Sequence, residues 1–290
     1  MKTKILLFGS SGQLGLKIME VLSENYECES FDREKCDITN TRNVRKIISD
    51  NPNSILINCA AYTKVDQAED DKNSCLSANY HAVKNMVNLC NTYNLIFIHF
   101  STDYVFKGDA QKAYKETDQH LPINFYGESK KLADEYILSH ANDFYLFRVS
   151  WVYDKNGRNF LNTIQNLLTK ENELKIVNDQ YGVPTSTSFI AEIVEYFLIN
   201  LNQERVDYGL YNCVPNGFCN WYEFATLIKK LLQDKNKLKL QNEKIIPVES
   251  SSFKTRAKRP MNSVLDNNKL KKSIEIHIND WSHYLENEIS

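Results

Sequence analysis

The 290-residue chain has no long apolar run, no surplus of charge of either sign and no paired cysteine spacing, and each absence removes a class of function. The opening MKTKILLF is only briefly apolar, and no later segment approaches the length a bilayer requires. A cytoplasmic chain with no membrane partner is therefore expected. The 35 Lys and Arg against 37 Asp and Glu leave a formal charge of -2, which gives no electrostatic footprint for nucleic acid. The basic cluster Lys254, Arg256, Lys258, Arg259 is too short to alter that. Seven cysteines, at 28, 36, 59, 75, 90, 213 and 219, form no CxxC, so reduced packing thiols are expected rather than a disulfide framework or a zinc site. Neither HExxH nor GxSxG occurs and no acidic pair stands out, which disfavours metal-dependent and hydrolytic mechanisms.

What is present reads as a globular α/β protein, with 42% hydrophobic and 25% charged residues, enough for a substantial core. The apolar runs KILLF, ECESF, SILINCA, LIFIHF and FYLFRVS alternate with helical patterns near residues 13–24, 41–50, 72–92 and 125–140. Alternation of this kind needs crossover connections, and so predicts a Rossmann-type, doubly wound parallel sheet. From about residue 155 longer helices and shorter strands take over, as in RNFLNTIQNLLTK, SFIAEIVEYFLIN and WYEFATLIKKLLQ. The expected division is a dinucleotide-binding domain over 1–154 and a smaller, mainly substrate-binding domain over 155–290, interleaved with late elements of the sheet.

In parallel sheets the ligand lies beyond the carboxyl ends of the strands, which directs attention to the residues after each apolar run. After the first run, Gly9, Gly12 and Gly15 form a GxxGxxG turn leading into a helix, where backbone N–H groups and a helix dipole suit a pyrophosphate. Asp32 ends the second run, where a carboxylate would accept hydrogen bonds from an adenosine ribose, and Arg33 beside it leaves NADH and NADPH both open. Thr102 and Asp103 follow a buried strand, where the hydroxyl can cap the strand end or meet a phenol or a substrate carbonyl. Tyr126 and Lys130 are four residues apart on one helix, so they share a face. A nearby cation would make that phenol, whose reference pKa is about 10, a usable acid. A hydride reaching a carbonyl carbon leaves charge on oxygen, and a phenol beside an ammonium can protonate and stabilise it.

The motifs GSSGQLG, INCAAYTKVDQAE, STDYVF, YGESKKLADE, SWVYDKNGRNF, VNDQYGVPTS and RPMNSVLDN follow one another in an order that resembles the dTDP-4-dehydrorhamnose reductase family of extended short-chain dehydrogenases. The resemblance implies reduction of the C4 ketone of a dTDP-linked 6-deoxysugar by NADPH or NADH, in a monomer or homodimer. It makes Tyr126 the proton donor and Lys130 the holder of the nicotinamide ribose, with Thr102 orienting the carbonyl. It further places Gly12, Gln13 and Leu14 at the pyrophosphate, Asp32 at the ribose, Asp37 and Ile38 at the adenine, and Ala61, Tyr62 and Thr63 along the cofactor. Thr102, Asp103, Tyr104 and Trp151 then face the sugar, although a tryptophan in that position can also be simple core.

Four departures from the family pattern stand out: Asp154 where glycine is usual, Cys59 for a common alanine, the polar tail from residue 273, and Lys17 where some members carry an acid that helps bind magnesium between subunits. Two alternatives share the fold. One is a reductase of another nucleotide-linked 4-keto-6-deoxysugar, and the other is a non-catalytic NADP-binding regulatory subunit. A dehydratase relative would carry an acid at the position of Tyr104.

Overall fold

The computed structural model describes residues 3–201, 206–237, 240–241 and 244–289. In chain order the elements begin with β1 (Lys4–Phe8), α1 (Gln13–Leu22), β2 (Glu27–Phe31), α2 (Thr41–Ser49) and β3 (Ile55–Asn58). There follow α3 (Lys72–Leu76), α4 (Ala82–Tyr93), β4 (Ile96–Thr102), α5 (Phe125–His140), β5 (Phe144–Val149) and β6 (Val152–Tyr153). The second half comprises α6 (Phe160–Leu168), β7 (Glu173–Val177), β8 (Tyr181–Gly182), β9 (Thr185–Ser186), α7 (Thr187–Asn200), β10 (Gly209–Asn212), β11 (Cys219–Asn220), α8 (Trp221–Asp234), β12 (Lys244–Val248), α9 (Asn268–Ser273) and α10 (Trp281–Glu288).

Six strands form one sheet in the order β10-β5-β4-β3-β1-β2. Every pairing in it is parallel. The chain steps outward from β1 to β2, then returns to the other side of β1 with β3, so the order reverses between β1 and β3. A crevice opens at the carboxyl ends on either side of such a reversal. Central strands such as ILLF and ILIN are buried throughout because helices cover both faces. One face packs α1 and α7 through Ile18, Leu22, Phe189, Ile193 and Phe197. The other packs α2, α4 and α5 through Val44, Ile48, Val83, Val87 and Ile137.

A separate core is built by Tyr153, Leu161, Ile164, Phe224, Ile228, Trp281 and Leu285 from β6, α6, α8 and α10. The short parallel pair β7–β12 lies beside it. α7 and β10, both beyond residue 154, belong to the large sheet layer, so the chain passes through the smaller unit more than once. The helix anticipated over 72–92 is continuous but changes pitch: a π turn at Ser77–His81 separates α3 from α4.

Candidate active site

A cleft of about 1370 Å³ lies over the carboxyl ends of the central strands and borders the smaller unit. Its lining includes Gly9, Gly12, Gln13, Leu14, Gly15, Asp32, Asp37, Ile38, Ala61, Tyr62, Thr63, Thr102, Asp103, Tyr104, Tyr126, Lys130 and Trp151. Residues spread over 140 positions of the sequence thus converge on one cavity, each within a few residues of a strand end or a helix start.

The glycine turn after β1 has a steric cause. Gly9 has φ +78°, and a Cβ there would stand 2.5 Å from the Ala60 amide nitrogen. A Cβ on Gly15 would stand 2.3 Å from the Gly9 carbonyl oxygen, so α1 seats directly on the turn. Gly12 is the N-cap of α1 and no side chain caps that helix end, while its first turn carries no acid. The positive end of α1 therefore meets the cleft without a competing carboxylate, a fit for a phosphate group. At the far end, Asp32 accepts from the Lys35 amide at 2.9 Å, and Asp37 accepts from the Thr39 amide and hydroxyl at 2.9 and 2.7 Å. Those bonds, together with exposed Arg33 at 3.3 Å, hold the Asp37 carboxyl below the usual carboxylate range.

Helix α5 delivers Tyr126 and Lys130. Its start is fixed by Asn124, which accepts from the Gly127 amide at 2.8 Å, and by Glu69, which accepts from the Phe125 amide at 2.9 Å. Gly127 lets the helix lie against the strand-end loop, since a Cβ there would be 2.2 Å from the Tyr104 carbonyl oxygen. The Tyr104 and Tyr126 rings meet edge to face at 6.0 Å. Burial pushes the Tyr126 phenol above its ordinary value, opposed by a hydrogen bond with Thr102. Lys130 is 1% exposed, and burial lowers its ammonium to about 8. Its Nζ lies 2.9 Å from His99 Nε2 and donates to the Phe100 carbonyl at 2.7 Å. The lysine is thus turned toward β4, and the acidity of Tyr126 is set here by burial and Thr102.

Thr102 plays both parts that its position allowed. Its hydroxyl accepts from the Tyr104 amide at 3.2 Å, capping a 3-10 turn at Asp103–Val105, and it also reaches Tyr126. Asp103 is 3% exposed and takes hydrogen bonds from Thr102 and Ser150, each at 3.1 Å. Burial nevertheless raises its carboxyl to about 6.

Trp151 takes a positive φ of 44°, unusual for a bulky residue, and stacks face to face on Trp221 at 3.4 Å and 6°. Gly182 makes room for it, because a Cβ there would be 2.4 Å from the indole. Trp221 also lines the cleft and was not anticipated from sequence, although Asn220 and Glu223 around it form a capping box, a local signal of a helix start. His99 and Asn58 were also missed. A histidine inside an apolar strand run carries no motif.

The basic segment near the C-terminal end does not present its arginines to the cleft. Arg259 reaches both oxygens of Asp66, at 2.6 and 3.0 Å, and Arg256 pairs with Asp70. Of the family departures, Asp154 is buried and accepts from Thr187 at the start of α7, while Cys59 lines the cleft with its thiol raised by burial. Lys17 pairs within its own helix with Glu20 at 2.7 Å.

Fold and site together define an oxidoreductase of the short-chain dehydrogenase type. The chain belongs to the dTDP-4-dehydrorhamnose reductase family: the family model described as RmlD substrate binding domain matches residues 3–290. The dTDP-4-dehydrorhamnose reductase of Burkholderia thailandensis is 33% identical over 285 residues, covering 97% of this chain and 96% of that protein. Among solved structures, the dTDP-4-dehydrorhamnose reductase of Bacillus anthracis in complex with NADP superposes with a TM-score of 0.91 at 32% identity, covering 99% of both chains. The Clostridium acetobutylicum relative gives a TM-score of 0.91 at 33% identity, covering 99% of this chain and 98% of that one.

Proposed function

We propose that the protein reduces the C4 ketone of dTDP-4-dehydro-L-rhamnose to the alcohol, giving dTDP-L-rhamnose, with reduced nicotinamide dinucleotide as cofactor. The observation that carries this reading is one cleft bordered by the glycine turn, the acid after β2, and Thr102, Tyr126 and Lys130. When bound, NADPH or NADH supplies the hydride. Gly9 and Gly15 keep the turn free of side chains, and the uncapped start of α1 at Gly12, Gln13 and Leu14 faces the diphosphate. Asp32 accepts from the adenosine ribose, Asp37 and Ile38 flank the adenine, and Ala61, Tyr62 and Thr63 border the rest of the cofactor. A 2′-phosphate would find Arg33, whose side chain is 88% exposed, within reach of the same rim.

Tyr126 gives its proton to the C4 oxygen as charge develops there. Burial keeps the phenol in the protonated form that donation requires. Thr102 orients both the phenol and the carbonyl, and Lys130 holds the nicotinamide ribose and offsets the phenolate left behind. Asp103, Tyr104 and Trp151 face the sugar, with Trp151 and Trp221 forming a flat apolar wall for the C6 methyl side of the ring. Cytoplasmic location is part of the reading, and the seven free cysteines suit a reducing compartment. Among the described residues, no helix is long and apolar enough to cross a membrane.

The experiment is a substrate panel. Purified protein is expected to oxidise NADPH or NADH with dTDP-4-dehydro-L-rhamnose at a kcat/KM at least tenfold above that for other nucleotide-linked 4-keto-6-deoxysugars. Preference for a different member of the panel would reassign the sugar, and tight dinucleotide binding with no turnover on any member would make the protein a binding subunit.

A further inference from the structure

The proposed reaction leaves unused the His99 imidazole on β4 beside the site, which is 1% exposed and stacked on Phe97 at 5.8 Å and 9°. Both ring nitrogens are engaged: Asn58 Nδ2 lies 3.2 Å from Nδ1, and Lys130 Nζ lies 2.9 Å from Nε2. The Asn58 amide cannot turn freely, because its Oδ1 accepts from the Ala60 amide at 3.1 Å. Its NH2 therefore faces the ring, Nδ1 must accept, and the single proton of the neutral imidazole sits on Nε2. Burial holds the imidazole well below its usual range and so neutral.

An Nε2–H aimed at Lys130 requires a lone pair on the lysine nitrogen. An amine supplies one and still donates to the Phe100 carbonyl, 2.7 Å away. An ammonium would set donor against donor, or force the other tautomer and set Nδ1–H against the Asn58 amide. Other titratable groups facing Lys130 are Asp134, one turn along α5, and Cys75 on α3, and both favour the charged form. Burial outweighs them.

We infer that Asn58 and His99 act as positioning residues for Lys130: the locked imidazole tautomer favours the uncharged amine of Lys130 in the ligand-free protein, and binding of the dinucleotide is coupled to proton uptake at Lys130. The second half rests on the proposed contact between Lys130 and the cofactor ribose. The first half does not.

The test separates the two. In ligand-free protein, imidazole 15N shifts are expected to show the Nε2–H tautomer of His99 above pH 8, where the Lys130 amine prevails. Lysine 13Cε titration, assigned with Lys130→Arg, is expected to place Lys130 near pH 8, well below the ordinary lysine range of about 10.4. His99→Gln, whose carbonyl can accept from an ammonium, should raise the proton affinity of Lys130 roughly tenfold. An Nδ1–H tautomer, or Lys130 titrating with the other lysines, would overturn the inference, and neither measurement depends on that variant folding. An unchanged Lys130 midpoint in folded His99→Gln would do the same. Calorimetry of NADPH binding at pH 8.5 in buffers of different ionisation enthalpy should report uptake approaching one proton. Zero uptake with the tautomer and titration as expected would remove only the coupling to the cofactor.

Discussion

At the scale of single residues, Tyr126 and Asp103 show burial acting on two acids with opposite consequences. Tyr126 is kept protonated, so Tyr126→Phe removes the proton donor and little else. Turnover is expected to fall roughly a hundredfold or more, with the dinucleotide Kd within twofold of wild type. Steady-state kinetics with fluorescence titration of NADPH checks both, and retained turnover would remove Tyr126 from its role. Asp103 is ionised against its surroundings, because its folded carboxyl is raised to about 6 from an ordinary 3.8. A raised carboxyl binds more protons folded than unfolded, so its stabilising contribution is complete below pH 4 and is lost as pH rises through 6. Asp103→Asn is therefore expected to gain up to about 2 to 3 kcal/mol relative to wild type above pH 6 and nothing at pH 4, read from urea midpoints at the two values. The same change should raise KM for the nucleotide sugar. Glycine and strand-end residues of this site were legible because each answers to a local rule: Gly9 and Gly15 to a turn that excludes a Cβ, Thr102 and Asp103 to the end of an apolar run. Trp221 and His99 were not, since what brings Trp221 to the cleft and His99 against Lys130 is packing between segments far apart in the chain.

At the scale of elements, α5 depends on a buried charge pair beneath the site. Asp134 accepts from Ser101 at 2.7 Å and from Arg148 at 3.2 Å, with both charged side chains fully buried. Arg148 is further held by His120, which accepts at 2.7 Å, and by the Phe106 ring at 4.8 Å. The pair ties α5 to β4 and β5, and so fixes the height at which Tyr126 stands above the sheet. Asp134→Ala would strand the guanidinium and is expected to cost about 3 to 5 kcal/mol in a urea titration, while Asp134→Leu with Arg148→Met should recover much of that loss. An intact midpoint for the single variant would mean that water reaches Arg148. Periodicity announced α5 and β5 as elements, and the five apolar runs foretold five of the six strands of the sheet. Neither the charge pair nor β10 was readable. GLYN is too short to stand out, and it becomes a strand only because β5 offers an open edge.

At the scale of the whole molecule, the chain closes on itself across the cleft rim. Residues 256–259 are pinned to the segment after β3 by Arg256–Asp70, by the two bonds from Arg259 to Asp66, and by the Ala257 amide on Asp66 at 3.0 Å. Asn124, the cap of α5, donates to the Lys258 carbonyl at 2.9 Å, so the same strap also touches the helix that carries Tyr126 and Lys130. Asp66 takes the Arg259 guanidinium, and that bond holds its carboxyl below the usual range. The strap therefore acts by shape, keeping the segment 66–70, beyond the residues that border the cofactor, and the start of α5 in register. Asp66→Asn keeps the size and one hydrogen bond but removes the charge, and is expected to raise KM for the nucleotide sugar several-fold and cost about 1 kcal/mol in stability, since the pair is only partly exposed. The dinucleotide Kd should change less than the sugar KM, because α1 and the β2 end lie outside the strap. A rise in that Kd, with the sugar KM unchanged, would show that the strap supports the cofactor side instead.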